Sequence, residues 1–179
     1  DHLRAILSLA RTVVFSLPRN PLALIRAYRI ADNSGLFDQT YYQTQLTKPL
    51  HNGQDPLVHS LTTDAETRAD PHPLFDADYY TKLNPDAVAA AGNPLLHFLQ
   101  TGGLERRSPH LLFDTPYYLD RYPEVAEQGL NPLVHYLQKT LEQRTNPHPL
   151  FDTTFYLTQD PTVAEQGLNP LMHFLDEGG

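Results

Sequence analysis

The sequence predicts an all-α fold, a solenoid-like array of tandem 38-residue helical repeats preceded by an N-terminal helical hairpin. Two markers recur at this step. The first is Phe-Asp, at Phe37-Asp38, Phe75-Asp76, Phe113-Asp114 and Phe151-Asp152. The second is a Pro-Leu-x-His core, whose histidines are His59, His97, His135 and His173. A third observation, 16 prolines without strand-like alternation of apolar and polar residues, favours short helices joined by fixed turns.

The repeat step divides the chain into five segments. We expect an N-terminal amphipathic helical cap over 1–34, followed by copies one to four over 35–73, 74–111, 112–149 and 150–179. Copy four holds 30 of its 38 positions, and the first residue is Asp rather than Met. We therefore expect the chain to be a piece of a longer protein.

The N-terminal segment carries two predicted helices. Apolar residues at helical spacing predict a helix over 2–16, and Asn20 before Pro21 predicts the start of a second helix over about 21–32. Residues 1–34 contain five arginines against two aspartates. Two interpretations stay open. The helices cap copy one, or a cationic amphipathic helix within residues 2–32 lies on an anionic membrane surface.

Each copy is predicted to contain three short helices. In copy two an aspartate N-cap, Asp76, begins the first helix, and an Asn-Pro pair begins each of the others. The pairs are Asn84-Pro85 and Asn93-Pro94, and the third helix is expected to end at Gly102-Gly103. Copy one has Leu46-Thr47 in place of the first pair, as expected of an atypical end unit.

The repeated aspartates and core histidines are interpreted as structural. Asp38, Asp76, Asp114 and Asp152 each precede a helix, where a carboxylate accepts free backbone N–H groups. His97, His135 and His173 lie between apolar residues, and His59 follows Val58. We therefore expect all four to be core imidazoles bonded to backbone carbonyls or to the neighbouring copy. A metal needs several ligands at about 2.0–2.2 Å, whereas stacked units space their histidines by roughly 10 Å. We expect no metal, no cofactor and no catalytic residue here.

Two further series recur in the proline-rich link before each Leu-Phe-Asp. The histidines His72, His110 and His148 are expected to be exposed. The arginines Arg68, Arg106 and Arg144 are expected to form salt bridges or to bond carbonyls across the link.

One aromatic pair per copy is expected in the core. The pairs are Tyr41-Tyr42, Tyr79-Tyr80, Tyr117-Tyr118 and Phe155-Tyr156. If one ring of each pair faces outward, the rings form a ladder on which sugar rings stack. The possible binding face comprises Tyr79, Tyr117, Phe155 and Arg121. The equivalents of Arg121 are Leu83 and Gln159, and such variation suits a protein partner contacted over several copies.

The charge balance excludes some partners. The chain has a net charge of −8, and residues 35–179 carry 8 Lys or Arg against 19 Asp or Glu. Phosphate binding needs a basic face, so we expect no nucleic acid. Cysteine is absent, which excludes disulfides and thiolate metal sites. No apolar run reaches the roughly 18 to 20 residues that span a bilayer.

The chain resembles a bacterial repeat family with the pattern Phe-Asp-x-x-Tyr-Tyr-Leu-x-x-Asn-Pro-Asp-Val-Ala, then Gly-x-Asn-Pro-Leu-x-His-Tyr, then Glu-Gly-Arg-x-Pro. In copy three the matching residues stand at 113–119, 122–126 and 129–136. The resemblance covers about residues 35–179. The link departs from the pattern, because Glu105-Arg106-Arg107 and Glu142-Gln143-Arg144 lack its glycine.

The resemblance implies a context rather than a reaction. Repeats of this family are found beside glycosyltransferase domains, including rhamnan-synthesis-like ones, in cell-surface polysaccharide assembly, and in large exported proteins. It implies a scaffold or protein-interaction module that contacts a protein partner or its own catalytic domain, in the bacterial cytoplasm or at the inner membrane. One alternative is a glycan-binding segment that assists glycosyl transfer. Another is a structural repeat of an exported surface protein or filament.

Overall fold

The computed structural model describes residues 21–64 and 68–177. Within these residues the chain forms helices joined by turns and isolated bridges, which confirms the all-α prediction. The predicted helix over 2–16, and the hairpin it would form, lie outside the described residues. The second predicted N-terminal helix is α1, Pro21–Ser34, which packs Leu24 against Val58 of copy one.

The remaining helices are short and follow the sequence copies. Copy one contains α2, Gln39–Gln45, and α3, Pro56–Thr62. Copy two contains α4, Ala77–Leu83, α5, Pro85–Ala91, and α6, Pro94–His97, continued by a π-helical segment over Phe98–Gly102. Copy three contains α7, Thr115–Arg121, α8, Pro123–Glu127, and α9, Pro132–Gln143. Copy four contains α10, Thr153–Gln159, α11, Pro161–Glu165, and α12, Pro170–Asp176.

Copy one lacks the second helix, so the expectation of three helices in every copy is wrong there. Leu46 has no side-chain acceptor for a helix start, and Pro49 disfavours the helical conformation at Lys48 before it. The chain instead turns at Asn52-Gly53, where Gly53 has a φ of 83°. A loop therefore replaces the second helix between α2 and α3.

The first helix of each copy starts in the same way. The aspartate carboxylate accepts the N–H three residues later at 2.7–3.0 Å in Asp38, Asp76, Asp114 and Asp152. The phenylalanine before each aspartate packs on the tyrosine of the first turn, with ring centroids 5.2–5.5 Å apart. Helices of seven residues are not stable alone in water. The aspartate N-cap and the phenylalanine–tyrosine contact stabilise these short helices.

Hydrogen bonds close single copies and join neighbouring ones. The N–H groups of Asp38, Asp76 and Asp114 donate to the carbonyl oxygens of Pro71, Pro109 and Pro147 in the link of the same copy, at 2.8, 3.1 and 3.0 Å. The Nδ2 groups of Asn93 and Asn131, the N-caps of α6 and α9, donate to the carbonyl oxygens of Ser60 and Phe98 in the preceding copy, at 3.2 and 3.0 Å. The aspartates thus join the start of copies one to three to their own links, and the asparagines join neighbouring copies.

The glycine that ends the π-helical segment of copy two, Gly102, has a steric reason. A Cβ at Gly102 would overlap the Tyr80 hydroxyl and lie 2.9 Å from Nδ1 of His97. Glycine therefore allows the helix to pass close to these two side chains. The third helix reaches Gly102, as expected, but its last turn is π-helical rather than α-helical.

Candidate binding surface

Each core histidine is paired with a tyrosine 17 residues earlier in the same copy. The tyrosine hydroxyl bonds Nδ1 at 2.7–2.8 Å in the pairs Tyr42–His59, Tyr80–His97, Tyr118–His135 and Tyr156–His173. The partner of each Nδ1 atom is thus a tyrosine hydroxyl of the same copy. The prediction that the imidazole bonds a backbone carbonyl or the neighbouring copy is wrong for this nitrogen. The constant spacing of 17 residues is the sequence signal that would have identified these pairs.

The tyrosine–histidine pairs are poorly placed for acid–base chemistry. Tyr42, Tyr80 and Tyr118 are fully buried. Burial raises the pKa of these phenols and lowers the pKa of the His59, His97 and His135 imidazoles. Both partners are therefore neutral near pH 7 and share a hydrogen bond in the interior. Only His97 is fully buried, at 8% exposed, while the other three rings are partly exposed.

The link histidines are less exposed than expected. His72 is 5% exposed, and His110 and His148 are half-buried. In all three, Nδ1 accepts the backbone N–H two residues later, at 3.0–3.1 Å. A backbone N–H only donates, so the neutral ring carries its proton on Nε2. Burial is the main cause that lowers the pKa of His72 to about 4.

The link arginines bond carbonyls and one carboxylate. Arg68 Nη2 donates to the carbonyl oxygen of Thr63 at 2.9 Å, and Arg106 Nη2 donates to Pro116 at 3.1 Å and Asp120 at 2.6 Å. Arg106 and Arg144 share positive φ angles of 64° and 53°. The 38-residue step, rather than the Glu-Gly-Arg motif, therefore identifies the equivalent arginines.

The first ring of each aromatic pair lies outward. Tyr79 and Tyr117 are half-buried and Phe155 is 64% exposed, whereas Tyr80 and Tyr118 are fully buried. The outward ring stands four residues before an exposed position near the helix end, so both share one helix face. These ring-and-neighbour pairs are Tyr41 with Gln45, Tyr79 with Leu83, Tyr117 with Arg121 and Phe155 with Gln159. We call these eight residues the outer strip.

Other kinds of site have little support. Among residues 21–64 and 68–177, no three His, Asp or Glu side chains converge as metal ligands. None of the helices described combines the length and apolar character needed to cross a bilayer. Comparisons of this chain with protein families, with curated proteins and with solved structures each found no match.

Proposed function

We propose that this chain is a non-catalytic helical-repeat scaffold that binds a protein partner. The observation that carries the proposal is that the repeated polar residues form hydrogen bonds within the array, whereas the residues that vary among copies lie on its surface. The repeated polar residues are occupied inside the array: the aspartates as helix N-caps, the tyrosines and histidines as hydrogen-bonded pairs, and the asparagines as bonds between copies. None of these repeated groups is left over for a reaction that every copy would perform.

The exposed positions vary among the copies, which suits a protein contact. The last two residues of α2, α4, α7 and α10 are all exposed. They are Thr-Gln in copies one and four, Lys-Leu in copy two and Asp-Arg in copy three. A protein partner of typical interface size, about 1,200–2,000 Å², would cover several copies and distinguish them.

The parent protein is proposed from the repeat pattern. The resemblance favours a bacterial glycosyltransferase of surface polysaccharide synthesis, in which the array contacts the catalytic domain or another protein. The cap interpretation of the N-terminal segment is supported by the packing of α1 on copy one. The membrane interpretation concerns residues 2–32, of which residues 2–20 lie outside the described residues.

A second candidate function is glycan binding by the outer strip. It is favoured by the aromatic ring that recurs at one outward position in all four copies. A repetitive glycan would use the same ring in each copy, whereas a protein would use the variable neighbours. The two functions therefore predict different sensitive residues.

Paired substitutions in the outer strip test the proposal. We expect a partner identified by co-purification to bind less tightly to Leu83→Ala and Arg121→Ala, with its affinity for Phe155→Ala changed less. Binding is measured by calorimetry with the purified partner. The matched ligand experiment is an NMR titration with oligosaccharides of the source bacterium. Shifts confined to Tyr79, Tyr117 and Phe155, and lost in Phe155→Ala, would replace the scaffold proposal by glycan binding.

A further inference from the structure

Copy one contains the one asparagine of the chain that is followed by glycine, Asn52. Asn52 and Gly53 stand at the centre of a four-residue turn, in the loop that replaces the second helix of this copy. The turn is closed by a backbone hydrogen bond from the N–H of Gln54 to the carbonyl oxygen of His51, at 3.0 Å. Asn52 and Gly53 are both exposed, so water reaches the side chain and the backbone at the centre of the turn.

The peptide nitrogen of Gly53 is unhindered beside the Asn52 side chain. Its N–H donates to no acceptor within residues 21–64 and 68–177. Gly53 has a φ of 83°, and nothing lies within 4 Å of the position that a Cβ would take. Because glycine also has the widest choice of backbone conformations, this nitrogen can approach Cγ of the Asn52 amide without a clash.

The other asparagines of the chain are protected by the residue or the helix that follows them. Asn33 precedes Ser34 in the last turn of α1, where the backbone N–H groups are bonded along the helix. The remaining six precede proline, whose nitrogen carries no hydrogen and cannot act as a nucleophile. These are Asn20, Asn84, Asn93, Asn131, Asn146 and Asn169. Asn52 therefore differs from the other seven in both its following residue and its surroundings.

We propose that Asn52 is a site of spontaneous deamidation. The Gly53 nitrogen attacks Cγ of Asn52 and forms a new N–Cγ bond, which closes a cyclic succinimide. The Cγ–Nδ2 bond breaks, and the amide group leaves as ammonia with the proton that the Gly53 nitrogen loses. The assignment does not depend on the proposed function.

Water then opens the succinimide in one of two directions. Addition at Cγ breaks the new N–Cγ bond and gives aspartate at position 52. Addition at the backbone carbonyl carbon breaks its bond to the Gly53 nitrogen and gives isoaspartate, in which the main chain passes through Cγ. In both cases the net reaction consumes water, releases ammonia and changes no oxidation state.

Isoaspartate would alter the start of α3, because its main chain is longer by one atom within the turn. Asp55 follows the turn directly. Its Oδ1 accepts the N–H of Val58 at 2.9 Å as the N-cap of α3, and its Oδ2 accepts the Tyr28 hydroxyl of α1 at 3.4 Å. We therefore expect the isoaspartate product to disturb a residue that joins α1 to copy one, whereas the aspartate product keeps the parent main chain.

Timed incubation of the whole chain at mildly alkaline pH, followed by peptide mapping with mass spectrometry, tests the site. We expect the peptide that contains Asn52 to be converted, and to be converted faster as pH rises, because the attacking nitrogen must lose its proton. Asn33 is the control within the same chain and is expected to stay unchanged over the same interval. Gly53→Ala is expected to slow the conversion about tenfold, since its Cβ crowds the nitrogen and disfavours a positive φ.

Three outcomes would overturn the assignment. Conversion of Asn33 as fast as Asn52 would show that the turn gives no selectivity. Equal rates in the parent and in Gly53→Ala would exclude the glycine nitrogen as the nucleophile. An unchanged Asn52, over an interval in which a synthetic peptide of residues 48–57 is converted, would show that the folded turn prevents the reaction. Because Asn52 and Gly53 are exposed in a loop, loss of folding does not obscure these results.

The Asn52→Asp variant separates the effect of the main chain from the effect of charge, because it carries the same charge as the isoaspartate product. We expect the NMR signals of Tyr28 and Val58 to shift in the purified isoaspartate product and to stay close to those of the parent in Asn52→Asp. Equal signals in the two would contradict the expected disturbance of α3.

Discussion

Replacing Phe113 by alanine is expected to lower the free energy of unfolding by about 3–5 kcal/mol. The ring is fully buried and packs on Tyr118 and Tyr136 at centroid distances of 5.2 and 5.6 Å. Its removal leaves a cavity where helices α7 and α9 meet. Urea denaturation followed by far-UV circular dichroism measures the change, with the parent chain under the same conditions.

Phe155→Ala is the matched control, because it makes the same substitution at a ring that is 64% exposed. We expect a change within about 0.5 kcal/mol, as for surface substitutions in general. Asp114→Ala, which removes the N-cap beside Phe113, is expected to cost about 0.5–2 kcal/mol. Similar small losses at Phe113 and Phe155 would contradict the assignment of the repeated phenylalanine to the core.

Acid is expected to destabilise the chain through His72. The pKa of the folded imidazole is lowered to about 4, because burial outweighs the attraction of Asp38, and neighbouring His110 adds to the lowering. The unfolded ring titrates near its usual pKa of about 6.5. Between these values the unfolded state binds a proton that the folded state does not, so the free energy of unfolding falls as pH decreases. The full effect of this ring is about 3 kcal/mol.

His72→Asn isolates this contribution. The Asn Oδ1 can still accept the Leu74 N–H that Nδ1 of His72 accepts at 3.0 Å, but the side chain does not titrate. We expect the variant to lose about 2–3 kcal/mol less than the parent between about pH 7.5 and about pH 4.5. His51→Asn, at an exposed loop position, controls for the loss of one histidine. Equal pH dependence in all three chains would mean that His72 is not buried in solution.

Local features were the most predictable part of the fold. The aspartate caps, the proline starts and the short helices depend on residues within one turn, so their sequence signals are close together. Copy two shows the limit of this approach. Its left-handed residue is Gly92, one place later than Gly129 and Gly167, and its buried valine, Val88, is shifted in the same way relative to Val125. Alanine at position 91 disfavours a positive φ. Helix α5 therefore continues through Ala91 and ends at Gly92, which adopts the positive φ.

Contacts between distant residues were predicted less well. The tyrosine–histidine pair forms because two helices of one copy meet. The prediction of a carbonyl partner for the imidazole was wrong because it considered only residues near the histidine in sequence. The burial of His72 was missed because a proline-rich link reads as surface.

Hydrogen exchange at four equivalent backbone groups tests most directly whether the repeated aspartates join the first helix of a copy to the link of the same copy. Asp38, Asp76, Asp114 and Asp152 share the same N-cap geometry, but only the first three donate their N–H to a proline within the described residues, in the link of their own copy. Among the described residues, no carbonyl accepts the N–H of Asp152. Residue-resolved exchange measured by NMR is expected to show protection at Asp38, Asp76 and Asp114 and rapid exchange at Asp152. Equally rapid exchange at all four would contradict the closing of each copy by these bonds.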